Sequence, residues 1–311
     1  MEKLSIIGCG TMGHSIALSA AWAGISVKVS GVTTRDIDHA DAGLKNKINV
    51  MAANGLFDEA KGKEIRERIT LQTSLQKVVS DATYIIEAIP EDIDMKHDLY
   101  KELEPLIDDQ VIVASNTSGF TPTSLAEGAI HPNRFIVTHF WNPAHLIPLV
   151  EVVKGEKTDQ ETINRSMELM KQMNKKPILI HKEIPGFIGN RLQYALFREA
   201  QSLLDTGVAS KEDIDAAVTY SIGRRLPITG PLMTADMGGL DVFSAISNYL
   251  FEDLSTAKRS GRILTGLVDE GKLGDKSGEG FYEWDKETSE KLNKEREQTL
   301  IYFLKNNDKN K

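Results

Sequence analysis

A glycine-rich turn joins the first apolar run of the chain to its first helical segment. The turn reads GCGTMG and follows apolar residues 4–7, and an alanine-rich segment with helical spacing occupies residues 12–23. In a G-x-G-x-x-G turn, the first glycine makes the tight turn, the second lets a pyrophosphate approach the backbone, and the third packs helix against strand. The free N–H groups at the helix N-terminus then favour phosphate. The sequence therefore predicts a dinucleotide site formed by Gly8, Gly10, Thr11, Met12 and Gly13.

The rest of the first half of the chain alternates short apolar runs with helical segments. The apolar runs lie at residues 27–29, 83–89, 111–114, 135–138, 149–153 and 177–180, and helical segments lie at 36–53, 95–107 and 158–174. Nearly continuous apolar strands that alternate with helices are typical of a parallel sheet covered on both faces. We therefore expect an α/β fold with a Rossmann-type, doubly wound parallel sheet.

The chain changes character after the segment EIPGFIGN. Helical patterns at residues 190–205, 239–257 and 286–305 dominate, with one possible short strand at 280–284, and the last six residues, NNDKNK, are predicted to be disordered. Because 311 residues exceed what one core usually holds, two domains are expected. We predict a dinucleotide-binding Rossmann domain at residues 1–184 and an all-α domain at residues 185–311.

Charge and composition exclude several classes of protein. The 37 basic and 45 acidic residues give a net charge of −8 without a basic stripe, which argues against a nucleic-acid partner. The single cysteine, Cys9, excludes an internal disulfide framework and indicates a reducing compartment.

The chain has no apolar run near the roughly 20 residues that a membrane span needs, and it enters its first strand directly after Met-Glu-Lys. We therefore expect a cytoplasmic protein with no membrane partner. The histidines show no metal-ligand spacing, so no metal is expected.

The acidic residue that usually closes the second strand of a Rossmann fold is missing. Its expected position, about 20 residues past the glycines, holds Gly31 in VKVSGV. Without a carboxylate to repel a 2′-phosphate, and with two threonines and Arg35 close behind, the sequence suits NADP. Alternatively, Asp36 or Asp38 reaches back, or backbone groups suffice for NAD. The sequence therefore leaves the choice between NAD and NADP as the cofactor open.

Polar residues lie at or just past the ends of three consecutive apolar runs. They are SNTSG, with Ser118, HFWNP, with His139 and Asn142, and Glu151 inside the run 149–153. The carboxyl edge of an open parallel sheet is where ligands bind, and histidine is a natural general base near neutral pH. A carboxylate in an apolar strand needs a partner, and Glu151 is placed to orient His139. The alternative is that His139 has only a structural role and that HFWNP is an ordinary Asn-Pro turn. A dinucleotide site, a histidine base and the hydrogen-bond donors Ser118 and Asn142 together predict a dehydrogenase.

Several motifs in order resemble one known family along nearly the whole chain. They are GCGTMG, EAIPED, SNTSG, HFWNP with PLVEVVKG, PGFIGNRL and KSGEGFY. Together they resemble the 3-hydroxyacyl-CoA dehydrogenase family. The resemblance implies a Rossmann-type first domain, a helical second domain that dimerises, and oxidation of an L-3-hydroxyacyl group of a small-molecule substrate to the 3-oxo compound, as in fatty acid metabolism.

The resemblance also implies roles for individual residues. By motif, the catalytic set of the family matches the base His139, the orienting Glu151, and Ser118, Asn142 and Asn190. The predicted cofactor-binding set adds Glu91, near the nicotinamide side, with Lys96, Asn116, Gly31 and Arg35.

Two departures from the family pattern leave the substrate and the cofactor open. Gly31 stands where the family keeps its ribose-binding aspartate, and segment 43–57 lacks the serine and the later lysine that hold CoA in CoA-using members. The motif HLIPLVEVV and the charged tail SEKLNKEREQTLIYFL resemble the branch acting on free hydroxy acids, such as L-gulonate and carnitine dehydrogenases. Lys45 and Lys47 could still meet a CoA phosphate.

Two other functions are weighed against this one. A β-hydroxyacid dehydrogenase would use a lysine base on the first helix of the second domain, where GNRLQYALFREA offers Arg191 and no lysine. A non-catalytic dinucleotide-binding protein, like lens proteins related to this family, is disfavoured by the intact pair of His139 and Glu151. The sequence therefore predicts a homodimeric NAD- or NADP-dependent dehydrogenase.

Overall fold

A computed structural model describes residues 2–307 of the protein. Four of the six residues predicted to be disordered, 308–311, lie outside the described residues, whereas Asn306 and Asn307 end the last helix. Contacts divide the chain into two compact units. Among the described residues, the first unit contains 2–188 together with 295–307, and the second is Gly189–Lys294. The predicted domain limits at residues 184 and 185 stay a prediction.

The first unit is built on one sheet. In the part of the chain that the structure describes, its strands are β1 (Leu4–Ile7), β2 (Val27–Ser30), β3 (Ile69–Gln72), β4 (Tyr84–Glu87), β5 (Ile112–Ser115), β6 (Phe135–Phe140), β7 (Leu149–Lys154) and β8 (Lys176–Ile180). Their order is β3-β2-β1-β4-β5-β6-β7-β8. The reversal of strand order next to β1 is the doubly wound arrangement, so the predicted fold class is confirmed.

Two features of the sheet differ from the sequence prediction. The strand β3 was not predicted, because ITLQ is short and half polar. The strand β7 runs antiparallel to β6, while the other neighbouring pairs are parallel. A short turn joins β6 to β7, and a parallel return would need a crossover of a dozen or more residues.

Helices cover both faces of this sheet. They are α1 (Thr11–Trp22), α2 (Thr34–Ala53), α3 (Glu59–Glu67), α4 (Leu75–Val79), α5 (Ile93–Leu103), α6 (Pro122–Leu125) and α7 (Gln160–Gln172). Successive strand residues point to opposite faces, so Ile6 and Ile86 enter one buried cluster while Ile7 and Ile85 enter another. The carboxyl ends of the parallel strands are thereby held in one row at one edge of the sheet.

The second unit is helical. It contains α8 (Gly189–Asp205), α9 (Lys211–Thr219), α10 (Ile222–Arg225), α11 (Pro231–Gly238), α12 (Leu240–Asp253), α13 (Arg262–Asp269) and the start of α14 (Lys286–Asn307). The possible strand at 280–284 is not formed, and isolated bridges join Glu279 to Gly274 and to Glu283 instead. Among residues 2–307, no helix is both long enough and apolar enough to cross a membrane.

Candidate active site

In the glycine turn between β1 and α1, two of the three glycines have no room for a side chain and the third has. A Cβ on Gly8, which has φ +99°, would lie 2.6 Å from the Ala88 carbonyl oxygen, and one on Gly13 would lie 1.8 Å from the Gly8 oxygen. A Cβ on Gly10 would meet no atom within 4 Å. The outer glycines therefore pack the loop, while the backbone at Gly10 stays open to a ligand. Exposed Thr11 begins α1 beside it. This is the cradle that a pyrophosphate needs, so the loop fits a dinucleotide.

The end of β2 approaches the same loop. Gly31 is buried and donates its N–H to the Gln72 carbonyl oxygen at 3.0 Å. Thr33 caps α2, and Arg35 is exposed in the first turn of that helix. This region would face the adenosine end of a dinucleotide whose phosphates lie on the glycine turn.

His139 and Glu151 are register partners on the antiparallel strands β6 and β7. The His139 Nδ1 lies 2.8 Å from Glu151 Oε2, and the two side chains are 6% and 0% exposed. A carboxylate only accepts hydrogen bonds, so Nδ1 is the donor of this pair, and in the neutral imidazole Nε2 then keeps its lone pair. The Ser118 hydroxyl lies 3.2 Å from that Nε2. The structure thus brings together the three predicted residues His139, Glu151 and Ser118.

Glu151 is held by groups that the sequence did not single out. The Trp141 indole N–H donates to Oε2 at 3.3 Å, and the Ile188 backbone N–H donates to Oε1 at 2.9 Å. The rings of Trp141 and Phe187 lie 5.7 Å and 5.5 Å from the imidazole centroid. The motifs HFWNP and PGFIGN contain these residues, but neither motif shows which of them contacts the carboxylate.

Glu91 holds the loop that carries Ser118. Its Oε1 accepts the backbone N–H groups of Ser118 and Gly119 at 3.0 Å and 3.1 Å, and also the Thr117 hydroxyl. Its Oε2 lies 3.7 Å from the Lys96 ammonium. Glu91, predicted at the nicotinamide side, is therefore bound to the strand-end loop next to His139.

Lys96 lies beneath this loop, with its side chain fully buried. Its Nζ donates to Glu87 Oε1 at 2.6 Å, while the hydroxyls of Tyr100 and Ser115 donate to Glu87 Oε2 at 2.8 Å and 2.6 Å. Burial, and then the Glu87 charge, raises the pKa of Tyr100 well above its usual value, so this phenol stays a donor. The buried Lys96 supports Glu87 and Glu91, and its side chain has no exposed surface for a ligand.

The remaining predicted residues are dispersed. Asn116 accepts the Phe140 backbone N–H on its Oδ1 at 2.8 Å, which ties the end of β5 to β6. Asn142 is exposed in the turn after β6, and Asn190 lies at the start of α8 in the second unit. Within residues 2–307, no three His, Cys, Asp or Glu side chains are grouped so that they could hold a metal ion.

Two family models match almost the whole described chain. The model for "3-hydroxyacyl-CoA dehydrogenase, NAD binding domain" matches residues 3–184. The model for "3-hydroxyacyl-CoA dehydrogenase, C-terminal domain" matches residues 186–284.

The names of three relatives indicate substrates both with and without CoA. The 5-formyl-3-hydroxy-2-methylpyridine 4-carboxylate 5-dehydrogenase of Mesorhizobium japonicum is 34% identical over 97% of this chain and 96% of its own length. The 3-hydroxybutyryl-CoA dehydrogenase of Clostridioides difficile is 35% identical over 91% of this chain and 100% of its own. The L-carnitine dehydrogenase of Oceanobacillus iheyensis is 35% identical over 77% of this chain and 76% of its own.

A solved structure extends the first of these likenesses. It is a crystal structure of the 5-formyl-3-hydroxy-2-methylpyridine 4-carboxylic acid 5-dehydrogenase, described as an NAD+-dependent dismutase. Its TM-score with this chain is 0.91 at 34% identity, and 97% of each chain is covered.

Proposed function

The chain belongs to the 3-hydroxyacyl-CoA dehydrogenase family, and we propose that its substrate is a small free hydroxy acid rather than a CoA ester. Membership makes the protein an NAD-dependent oxidoreductase with a Rossmann-type cofactor domain. The observation that carries the proposed chemistry is the hydrogen-bonded row Ser118–His139–Glu151 at the sheet edge that also bears the glycine turn.

His139 is the general base in this proposal. Its Nε2 takes the proton of the substrate hydroxyl, and the Glu151 carboxylate stabilises the imidazolium that results. Glu151 is able to do so because its side chain is buried and the N–H groups of Trp141 and Ile188 hold it in place. Bound NAD would accept the hydride from the carbon that bears this hydroxyl group, which leaves a carbonyl.

Ser118 and the residues around it orient the oxygen that becomes a carbonyl. The Ser118 hydroxyl already lies at hydrogen-bond distance from the base, and Glu91 fixes its backbone. Asn142, three residues after His139, adds an exposed amide donor. Asn190 is proposed for the same task from its motif alone.

The groove between α2 and α3 supports a free acid. By the resemblance, this region holds CoA in CoA-using members, and here it forms a groove of about 860 Å³. Its cations already have acidic neighbours: Lys45 and Arg66 lie 2.7 Å and 2.5 Å from Asp41, and Lys63 lies 4.0 Å from Glu67. A polyphosphate would therefore have to compete with carboxylates for every cation in the groove.

Lys47, the other candidate for a CoA phosphate, is turned inward. It is half-buried, and its Nζ lies 2.9 Å from Nε2 of His14 on α1. Burial lowers the pKa of Lys47, so the protonated form that would bind a phosphate is disfavoured. The family relative that matches 97% of this chain, by its name, acts on a free pyridine carboxylate. The carnitine-acting relative also takes a substrate without CoA by its name.

A 3-hydroxyacyl-CoA is the second candidate substrate, favoured by the match to the whole length of a 3-hydroxybutyryl-CoA dehydrogenase. In that case the protein would serve fatty acid metabolism. Rates of NADH formation with carnitine, 3-hydroxybutyrate, a hydroxymethyl pyridine carboxylate and 3-hydroxybutyryl-CoA separate the two. We expect at least one free acid to give the highest kcat/KM, and a clear advantage for the CoA ester would overturn the proposal.

The base is tested by His139→Gln and Glu151→Gln. Each should lower kcat by about 10²- to 10⁴-fold, the usual range for general-base catalysis, with NADH binding retained in a fluorescence titration. His181→Gln, at an exposed histidine after β8, is the matched control and should keep full activity. Normal turnover in His139→Gln would refute the assignment.

Assembly and location complete the proposal. We propose a homodimer, because the described residues of α8, α10, α11, α12 and α13 include none that is buried, and apolar side chains such as Leu232 are 84% exposed. Large exposed apolar areas usually mark an interface. A single cysteine and an NAD-dependent reaction suit the cytoplasm.

A further inference from the structure

The end of β2 has no room for the usual acidic side chain. A Cβ on Gly31 would lie 2.7 Å from the Cys9 Sγ, 3.0 Å from Ile37 Cδ1 and 3.3 Å from the Cβ of Asp36. Cys9 is buried inside the glycine turn, so its sulfur cannot simply move into solvent. An aspartate at position 31 would therefore collide with the turn that holds the phosphates.

Asp36 occupies the neighbouring space. It is the third residue of α2, and its Oδ2 accepts the Thr33 backbone N–H at 2.9 Å and the Thr33 hydroxyl at 2.8 Å. Both hydrogen bonds use Oδ2, and no described residue hydrogen-bonds to Oδ1. The carboxylate is also close enough to Cys9 to contribute to the raised pKa of that thiol, after burial. Asp36 thus lies beside the end of β2 and near Cys9 of the glycine turn.

We infer that Asp36 replaces the missing acid of β2 and makes the cofactor site select NAD over NADP. A carboxylate at this place accepts hydrogen bonds from the ribose hydroxyls of NAD and repels the 2′-phosphate of NADP. The inference rests on the NAD-binding domain of the family and not on the proposed substrate.

Arg35 is the residue that opposes this selection. It is exposed next to Asp36 and could attract a 2′-phosphate. Asp36, however, is fixed by its two hydrogen bonds to Thr33, which hold its pKa below the usual range, so it is charged at neutral pH. A phosphate that reaches Arg35 would meet a fixed negative charge one residue away.

The test measures the dissociation constants of NADH and NADPH for the complete protein without substrate. The wild type should bind NADH more tightly. Asp36→Asn should weaken NADH by about 10- to 100-fold, the scale of a lost charge-assisted hydrogen bond, and leave NADPH unchanged or tighter. Asp38→Asn, at an exposed position two residues along the same helix, is the matched control and should keep the wild-type ratio.

The ratio of the two constants separates recognition from helix capping. Asparagine keeps an oxygen that can accept the Thr33 N–H, and a loss of the cap alone would weaken both cofactors equally. Tighter binding of NADPH than NADH by the wild type, or an equal loss of both in Asp36→Asn, would overturn the inference. Because no substrate is present, neither result bears on the choice between free acid and CoA ester.

Discussion

Lys175 is buried just before β8 without an acidic partner in the described contacts. Its Nζ donates to the Ile147 carbonyl oxygen at 3.2 Å and to the Ala144 carbonyl oxygen, both in the turn that follows His139 and Asn142. Burial lowers the pKa of Lys175 to about 7. Lys175 therefore holds the turn that follows β6 in place, and it is only partly protonated near neutral pH.

This burial predicts a pH dependence of stability. The unfolded chain keeps the lysine protonated up to its ordinary pKa of about 10.4, whereas the folded chain releases the proton near pH 7. Below about pH 7 the buried amine must be charged, which lowers the free energy of unfolding by the full amount. This penalty disappears as the pH rises towards 10. The free energy of unfolding should therefore rise over this range by a contribution on the order of 1–4 kcal/mol. Urea unfolding at several pH values measures it.

Two variants isolate that contribution. Lys175→Met should flatten the rise, although the carbonyl groups of Ala144 and Ile147 lose a donor and the protein is less stable overall. Lys176→Met, at the exposed neighbouring position, should keep the wild-type slope. An unchanged slope in Lys175→Met would contradict the assignment.

At the level of residues, the sequence predicted the pair because His139 follows one apolar run, Glu151 lies inside the next one, and a buried carboxylate needs a partner. It could not predict the Trp141 and Ile188 donors to Glu151, because these contacts depend on how distant loops fold together. The buried position of Lys96 was missed for the same reason. Motif position identifies the chemistry of a side chain, whereas its partners follow from packing.

Among the elements, α14 illustrates where sequence periodicity stops being informative. It was predicted as a helix of the second domain, and its residues from Glu295 onward group with the first unit instead. Ile301 is 3% exposed, and the Lys305 Nζ donates to the Asn54 carbonyl oxygen at the end of α2. The charged pattern of α14 predicts a helix but does not show which surface its few apolar residues cover.

The packing of α14 predicts the effect of shortening Ile301. Ile301→Ala should lower the free energy of unfolding by about 2–4 kcal/mol, the usual cost of removing a buried aliphatic side chain. Tyr302→Ala, at a neighbour that is 63% exposed, should change it by less than about 1 kcal/mol. Urea denaturation of both variants gives the comparison, and equal effects would show that α14 does not pack through Ile301.

The antiparallel strand β7 is a second case at this scale. The apolar runs predicted the strands, but the direction of β7 follows from the length of its connection to β6. This direction places Glu151 opposite His139 in register. The hairpin therefore brings two sequence motifs together as one hydrogen-bonded pair, to which we assign the base function.

For the whole molecule, ordered motifs were enough to predict the family, the fold class and the type of reaction, since each motif belongs to one part of the cofactor or base machinery. The substrate was not predictable in this way. In the proposed function it depends on which cations of a groove remain unpaired. The i,i+4 spacing on a helix already suggests the pair of Asp41 with Lys45, whereas the pair of Asp41 with Arg66 forms only when α2 and α3 pack together.

The exposed helices of the second unit predict the state of the molecule in solution. Leu232 on α11 and Phe251 on α12 are 84% and 67% exposed, and a second copy of the chain would remove them from water. The wild type should sediment at twice its chain mass of 34.4 kDa at micromolar concentration. Leu232→Glu with Phe251→Glu should shift it to the monomer, because an unpaired charge buried in an apolar interface is costly. Ile130→Glu, at a 69% exposed site in the first unit, should leave the dimer intact. A wild-type protein that sediments as a monomer would contradict the proposed assembly.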